Sequence, residues 1–177
     1  MTIRLVVLAG PIGAGKSTVA ELLARRVARA GRTVAVAGLD DVAFMQRGRL
    51  DLEEFWRRAG IAHCALVRSW FAVGADVVVA HGPFFESRSY EQLFACVPTD
   101  ASALHVLLRV SYEEALSRVM SDPARGDGAM SRDPSLLRST HHAFGRRDLP
   151  RVDMDIDTTQ LATDAVINRV METLSDG

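Results

Sequence analysis

The sequence predicts a single α/β domain with helices on both faces of a parallel sheet of about five strands. Apolar runs rich in β-branched residues alternate with segments that carry apolar residues at helical spacing. Strands that are apolar along their whole length are typical of parallel sheets, because helices cover both of their faces. A chain of 177 residues suffices for one such three-layer α/β/α domain, and no tract resembles a linker. Residues 1–177 are therefore expected to fold as one unit.

The first half of the chain supplies three strands and two long helical segments. The unbroken apolar run from Ile3 to Ala9 predicts the first strand. A glycine-rich loop follows, and then a helix from Lys16 to Ala30, which Gly31 is placed to end. The next predicted elements are a strand at Thr33 to Gly38, one long helix or two short ones at Leu52 to Val73, and a strand at Asp76 to Ala80.

The second half continues the alternation of strand and helix. Ser111 and Glu114 form a plausible capping box, which predicts that a helix begins there. Residues 121–133 are irregular and rich in Asp, Gly, Arg and Ser. The other predicted elements are a short helix at Ser89 to Cys96, a strand at Ala103 to Val110, a helix from Pro134 to about Arg146, a strand at Asp153 to Thr158 and a helix from Thr163 to Leu174.

Composition and charge narrow the class of protein. The net charge of -1 gives no electrostatic reason to expect a nucleic-acid partner. No apolar run reaches the ~20 residues that span a bilayer, and the short run before the glycine loop is not expected to be a secretory signal. Cys64 and Cys96 are expected to be small buried apolar residues rather than parts of a metal site or a disulfide. A cytoplasmic location is expected, and the oligomeric state is not indicated.

The sequence GPIGAGKST matches the phosphate-binding pattern G-x-x-x-x-G-K-[ST] at Gly10, Gly15, Lys16 and Ser17. The glycines permit a tight backbone path that turns N–H groups onto a phosphate, and the helix that follows adds its positive end. Lys16 is the only lysine among 21 basic residues. It is expected to reach the β- and γ-phosphates, while the Ser17 hydroxyl ligates Mg²⁺. The expected ATP-binding residues are Gly10, Ile12, Gly13, Ala14, Gly15, Lys16, Ser17 and Thr18.

Two adjacent aspartates follow the second predicted strand. The carboxyl ends of strands form the ligand crevice of an open α/β sheet, so a carboxylate there can accept the proton of an attacking hydroxyl. We expect Asp40 to be this base, with Asp41 as the alternative, although either aspartate could instead cap a helix. ATPase motors and GTPases usually carry an aspartate that holds Mg²⁺ at the position of His81. The histidine therefore weakens the interpretation of the chain as an ATPase motor or a GTPase. Asp40 is therefore also the candidate second ligand of the metal, beside Ser17.

The irregular segment at about 121–133 is predicted to be a lid. Arg125 and Arg132 lie in it, and Arg118 precedes it. A mobile segment that carries arginines can exclude water and bring positive charge onto the phosphoryl group during transfer. The competing interpretation is a solvated loop in a protein that uses arginine almost everywhere in place of lysine.

These motifs together resemble those of a known family. The quoted segments are Gly10-Pro-Ile-Gly-Ala-Gly-Lys-Ser-Thr18, Leu39-Asp40-Asp41, Ser131-Arg132-Asp133-Pro134 and Asp155-Ile-Asp-Thr-Thr159. The chain resembles the P-loop small-molecule kinases related to nucleotide, shikimate and gluconate kinases, and particularly the chloramphenicol phosphotransferase-like and AAA-type kinase proteins. The resemblance implies strand order 2-3-1-4-5 and Asp40 as the base. It also implies that Arg118 contacts adenine and that Arg125 or Arg132 reaches the phosphates.

The phosphate acceptor is expected to bind at the ends of the second and third strands. A Gly-Pro pair after His81 forces a turn that is expected to direct two aromatic residues toward the crevice, and Trp56 could lie in either the pocket or the core. Basic residues in this region are scattered, which favours a neutral or amphipathic hydroxyl compound. Arg49 and Arg88 pointing together into the crevice would favour an anion instead. The candidate residues are Asp41, Phe44, Arg49, Trp56, Phe84, Phe85 and Arg88.

Three further histidines are not expected to take part in catalysis. His63 lies on an apolar helical face and is expected to be a hydrogen-bonded core residue. His141 and His142 are expected to lie on the surface or to support the lid, since two adjacent histidines make a poor metal site without further ligands.

The sequence thus predicts an ATP- and Mg²⁺-dependent phosphotransferase that acts on a hydroxyl of a small molecule. Two alternatives stay open. A nucleotide-binding resistance or regulatory protein would bind ATP with Asp40 indifferent to its function. A simple NTP hydrolase would release phosphate without any acceptor.

Overall fold

A computed structural model describes residues 3–84, 87–99, 101–123, 130–145 and 152–175, and this part of the chain contains one parallel sheet. Its strands are β1 (Ile3–Ala9), β2 (Val34–Gly38), β3 (Val77–Gly82), β4 (Ser102–Arg109) and β5 (Met154–Asp157). Every neighbouring pair is parallel, and the order across the sheet is β2-β3-β1-β4-β5. The predicted fold class and strand order are confirmed.

Helices connect the strands and cover both faces of the sheet. They are α1 (Lys16–Arg29), α2 (Leu39–Phe44), α3 (Leu52–Ala72), α4 (Ser87–Phe94), α5 (Tyr112–Ser121), α6 (Pro134–Gly145) and α7 (Thr163–Ser175), with a 3₁₀ turn at Met130–Arg132. The predicted cap of α5 is present, since the Ser111 hydroxyl accepts a hydrogen bond from the backbone N–H of Glu114. The sequence did not predict α2, because only 6 residues form it and both aspartates lie in its first turn.

The side chains of the central strand alternate between two apolar cores. Val6 and Leu8 of β1 pack with residues of α1 and α7 on one face. Leu5 and Val7 pack with α3 and α4 on the other face. All four side chains are fully buried. Such packing is expected for a parallel strand in the middle of a sheet, and it fixes the strand end from which the glycine loop departs.

The expectation that the two cysteines are not part of a disulfide is wrong. Cys64 of α3 and Cys96, just after α4, form a disulfide with Cα atoms 5.7 Å apart. Their separation of 32 residues hid this pairing in the sequence. In the fold α3 lies against α4, so closely that a Cβ at Gly60 would be 2.7 Å from Oε1 of Gln92. The two helices therefore hold the cysteines at bonding distance.

A membrane-spanning helix is not found among the described residues, where none is both long and apolar enough to cross a bilayer.

Candidate active site

The loop between β1 and α1 has the backbone conformation that its glycines permit. Gly13 has φ of 82°, in the left-handed region that other residues rarely adopt. A Cβ on Gly13 would also lie 2.8 Å from the Cβ of Ala115 in α5. Gly10 has φ of 151°, and a Cβ there would overlap the backbone carbonyl of Leu108 in β4. The loop is therefore packed tightly between its neighbours, and only glycine fits at these two positions.

The first turn of α1 faces this loop. Gly15 is the N-cap residue, with no side-chain cap and no acidic residue in the first turn of the helix. The positive end of the helix is consequently directed at whatever the loop holds. Lys16 is only 9% exposed, and its Nζ donates a hydrogen bond to the Pro11 carbonyl at 2.9 Å. Ser17 and Thr18 are exposed beside it. This arrangement suits a polyphosphate.

Arg118 connects the loop to the last strand. From α5 its guanidinium donates hydrogen bonds to the Gly13 carbonyl at 3.3 Å and to both the hydroxyl and the carbonyl oxygen of Thr158. Glu114 accepts a further bond from Nε at 2.8 Å. Thr158 follows β5 and is 4% exposed. The arginine that the resemblance associates with adenine thus lies against the phosphate loop.

His141 is a contact of the loop that the sequence did not assign to the site. Its Nε2 donates a hydrogen bond to the Ile12 carbonyl at 3.0 Å, and its ring meets Tyr112 edge-on. A cavity of about 310 Å³ opens between this histidine, Pro11, Phe144 and the ends of β4 and β5. Helix α6 therefore braces the loop. The only signal in the sequence was the pair of adjacent histidines, which does not show which one faces inward.

Asp40 and Asp41 lie in the first turn of α2, at the carboxyl end of β2. Asp40 is half-buried and Asp41 is exposed. The Asp41 carboxylate covers Gly38 so closely that a Cβ there would overlap its Oδ2 and lie 2.9 Å from Cε1 of His81. Gly38 and His81 are paired in the register of β2 and β3. The structure thus brings Asp41 and His81 together over one glycine.

His81 is buried and electrically neutral near neutral pH. Burial lowers its pKa to about 4, since the positive charge of Lys16 and the nearby His63 add to the effect of burial and only the Asp41 carboxylate opposes it. The side chain is 6% exposed. Its Nδ1 has no hydrogen-bond partner among the residues that the structure describes.

His63 is the core histidine that the sequence predicted. It is 2% exposed, and its Nε2 donates a hydrogen bond to the Ala37 carbonyl at 3.0 Å. Burial lowers its pKa, although the bond to Ala37 and the charge of Asp41 act in the opposite direction.

The acceptor candidates divide between the surface and the core. Phe44 is 54% exposed and lies 6.2 Å from the ring of Phe55, which meets Trp56 edge-on. Phe84 is 1% exposed and packs between His63 and Tyr90, so the structure directs it into the core and not toward the crevice as expected. Phe84, which follows the Gly-Pro pair, is therefore a core residue rather than a pocket residue.

The structure describes the side chains of two of the candidate arginines of the lid and the acceptor site. Arg132 donates a hydrogen bond to the Asp122 carbonyl at 2.9 Å, at the end of α5. Arg49 is exposed in the turn between α2 and α3. Arg125, Phe85 and the side chain of Arg88 lie outside the described residues. The lid and the anionic alternative for the acceptor thus stay predictions.

Comparison with known proteins identifies the fold. No protein-family model and no curated protein sequence matches the chain. A sugar kinase from a Janibacter species superposes with a TM-score of 0.69 at 20% identity, covering 98% of this chain and 95% of the other. A gluconokinase from Sinorhizobium meliloti gives 0.63 at 16% identity, with 98% and 92% covered. Shikimate kinase from Acinetobacter baumannii gives 0.59 at 18% identity, with 99% and 94% covered. The chain has the P-loop kinase fold.

Proposed function

We propose that this protein transfers the γ-phosphoryl group of ATP to a hydroxyl group of a small molecule. The observation that carries the proposal is the loop between β1 and α1, in which a buried Lys16 and the uncapped start of α1 converge. The fold is shared with kinases of sugars, shikimate and gluconate, which supports the same class of reaction.

The loop offers the groups that a nucleoside triphosphate needs. Backbone N–H groups of the first turn of α1 and the Lys16 ammonium are suited to the β- and γ-phosphates. The exposed Ser17 hydroxyl and the half-buried Asp40 carboxylate are hard oxygen donors, which fit Mg²⁺. When bound, Mg²⁺ neutralises phosphate charge. Arg118, which donates a hydrogen bond to the Gly13 carbonyl, is the proposed side-chain contact of the nucleotide.

The chemical step needs one base at the end of β2. Asp40 accepts the proton of the acceptor hydroxyl, whose oxygen forms a bond to the γ-phosphorus. The bond from that phosphorus to the bridging oxygen of the β-phosphate breaks, and ADP leaves with the electron pair. Arg125 and Arg132, from the proposed lid, would neutralise the charge that develops on the phosphoryl oxygens.

The test is ADP release from ATP and Mg²⁺, measured alone and with a panel of acceptors. The panel spans nucleosides, nucleoside monophosphates, sugars, hydroxy acids and hydroxyl-bearing antibiotics. Asp40→Asn should retain ATP binding and lose transfer, whereas Lys16→Ala should abolish turnover. Asp164→Asn, at an exposed position of α7, is the matched control and should behave like the wild type.

Three outcomes would contradict parts of this proposal. Transfer by Asp40→Asn at the wild-type rate would refute the assignment of the base. ATP binding that no acceptor converts into ADP release would favour a binding protein. Fast release without any acceptor would favour a hydrolase.

A further inference from the structure

His81 lies in the candidate site, yet the proposed reaction gives it no role. It occupies the carboxyl end of β3, beside the end of β2 that leads into both aspartates. A histidine is a costly residue to bury without a full set of hydrogen bonds. It is only 6% exposed, and its Nδ1 has no partner in the part of the chain that the structure describes. Packing alone would favour an apolar residue here.

The protonation state of His81 follows from its surroundings. Burial has the largest influence on its pKa, and three charged or titratable groups also act on it: Asp41 of α2, Lys16 of the phosphate loop and His63 of α3. The balance keeps the ring neutral. A buried lone pair without a partner is tolerated better than a buried N–H without one. The lone pair is therefore assigned to Nδ1, which leaves the proton on Nε2.

Asp41 supplies the complementary group at the same point. Its carboxylate and the His81 ring both approach Gly38, where a side chain as small as methyl would collide with them. An ionised carboxylate only accepts hydrogen bonds, whereas an imidazole N–H donates one. An alcohol both donates and accepts through one oxygen, so this pair is complementary to a hydroxyl group.

Three of the described arginines that follow Asp41 in the chain are bound to protein oxygens, whereas Arg49 is exposed. Arg57 and Arg58 both donate to the carboxylate of Glu54, each at 2.6 Å through Nε. Arg47 donates to the carbonyl groups of Phe44 and Gln46. A phosphorylated or carboxylated acceptor would need a cluster of free cations here, of which Arg49 would be one. The exposed ring of Phe44 offers apolar contact instead.

We propose that Asp41 and His81 form the acceptor-binding subsite, and that this pair selects an uncharged compound with a hydroxyl group besides the one that receives phosphate. The Nε2–H group of His81 donates a hydrogen bond to the oxygen of this additional hydroxyl group. The Asp41 carboxylate accepts a hydrogen bond from the same hydroxyl group. Asp40 remains the base for the reacting hydroxyl. The inference rests on the proposed function for its meaning, but its test is a binding measurement that needs no turnover.

The test uses paired probes that differ in charge: thymidine and thymidine monophosphate, and glucose and glucose 6-phosphate. Binding to the wild-type protein is measured by saturation-transfer NMR in the presence of a non-hydrolysable ATP analogue. We expect an uncharged probe to bind better than its phosphorylated partner. His81→Phe, which retains a ring and loses the N–H, should weaken that binding about tenfold, the effect of losing a hydrogen bond. Affinity for the ATP analogue should stay within about twofold.

Further variants keep the test decisive if His81→Phe does not fold. His81→Gln restores a neutral donor and should recover part of the lost affinity. Asp41→Asn, at an exposed position, should also weaken binding of the uncharged probe. His142→Phe, at an exposed position of α6, is the matched control.

The inference is overturned if the phosphorylated probes bind better, if no uncharged probe binds, or if binding is insensitive to His81→Gln and Asp41→Asn together. An uncharged probe that binds through His81 without raising ADP release from ATP would preserve this subsite and refute the kinase reaction. The two proposals can therefore fail separately.

Discussion

The guanidinium of Arg118 donates hydrogen bonds to both the hydroxyl and the carbonyl oxygen of Thr158, and so joins α5 to the end of β5. The Nη1 atom that donates to the Thr158 hydroxyl also donates to the carbonyl of Gly13 in the phosphate loop. One side chain thus fixes three segments that are far apart in the sequence. Only a planar group with several N–H donors can contact all of them at once.

We predict that Arg118→Lys weakens ATP binding by about tenfold or more. Lysine keeps the charge but lacks the fork that bridges Gly13 and Thr158, and hydrogen bonds from charged donors contribute about 1.5–3 kcal/mol each. Isothermal titration calorimetry with ATP would measure the change. Arg26→Lys, at an exposed position of α1, is the control. Equal affinity in the two variants would show that the bridge does not position the loop.

The sequence was sufficient for the architecture because local patterns encode it. The apolar runs that formed β1 and β4, and the cap at Ser111, are signals carried by residues close together in the chain. The phosphate loop was found for the same reason, since all its residues are consecutive.

Contacts between distant segments were not predictable in this way. The disulfide depends on how α3 lies against α4. The bond from His141 to Ile12 spans 129 positions, and nothing near either residue indicates it. The inward direction of Phe84 follows from packing against His63 and Tyr90, whereas its position beside a Gly-Pro turn suggested exposure.

We predict that Gly13→Ala destabilises the protein and weakens ATP binding. The left-handed backbone costs about 1–2 kcal/mol for a residue with a Cβ, and the new methyl group would meet Ala115 at 2.8 Å. Urea unfolding and ATP titration would measure both effects. Gly74→Ala is the matched control, because Gly74 also has positive φ, at 94°, but a Cβ there meets nothing within 4 Å. The Gly74→Ala variant should lose a similar free energy of unfolding through its left-handed backbone and keep its affinity for ATP.

We predict that reduction of the Cys64–Cys96 disulfide lowers the free energy of unfolding by about 2–4 kcal/mol, as expected for a loop of this length. Urea unfolding with and without dithiothreitol would measure it. The double variant Cys64→Ala/Cys96→Ala should show no effect of reductant. Two thiols that titrate in the unreduced native protein would contradict the pairing.

The last prediction concerns the stability of the protein in mild acid. The unfolded chain binds a proton at His81 near pH 6.5, whereas the folded protein does so only near pH 4. Between these values the unfolded state binds more protons, so the free energy of unfolding falls as the pH falls. For His81 the loss from pH 7 to pH 5 is about 2 kcal/mol. His63, whose pKa is also lowered, contributes in the same direction.

Urea unfolding of the wild-type protein, His81→Gln and His142→Gln at both pH values would isolate this contribution. Glutamine does not titrate, so His81→Gln should lose less stability on acidification than the wild type by about 2 kcal/mol. His142→Gln, which removes a histidine from an exposed position of α6, is the matched control. If His81→Gln and the wild type lose equal stability between pH 7 and pH 5, His81 is not held neutral by burial. The argument for an uncharged donor beside Asp41 would then lose its physical basis.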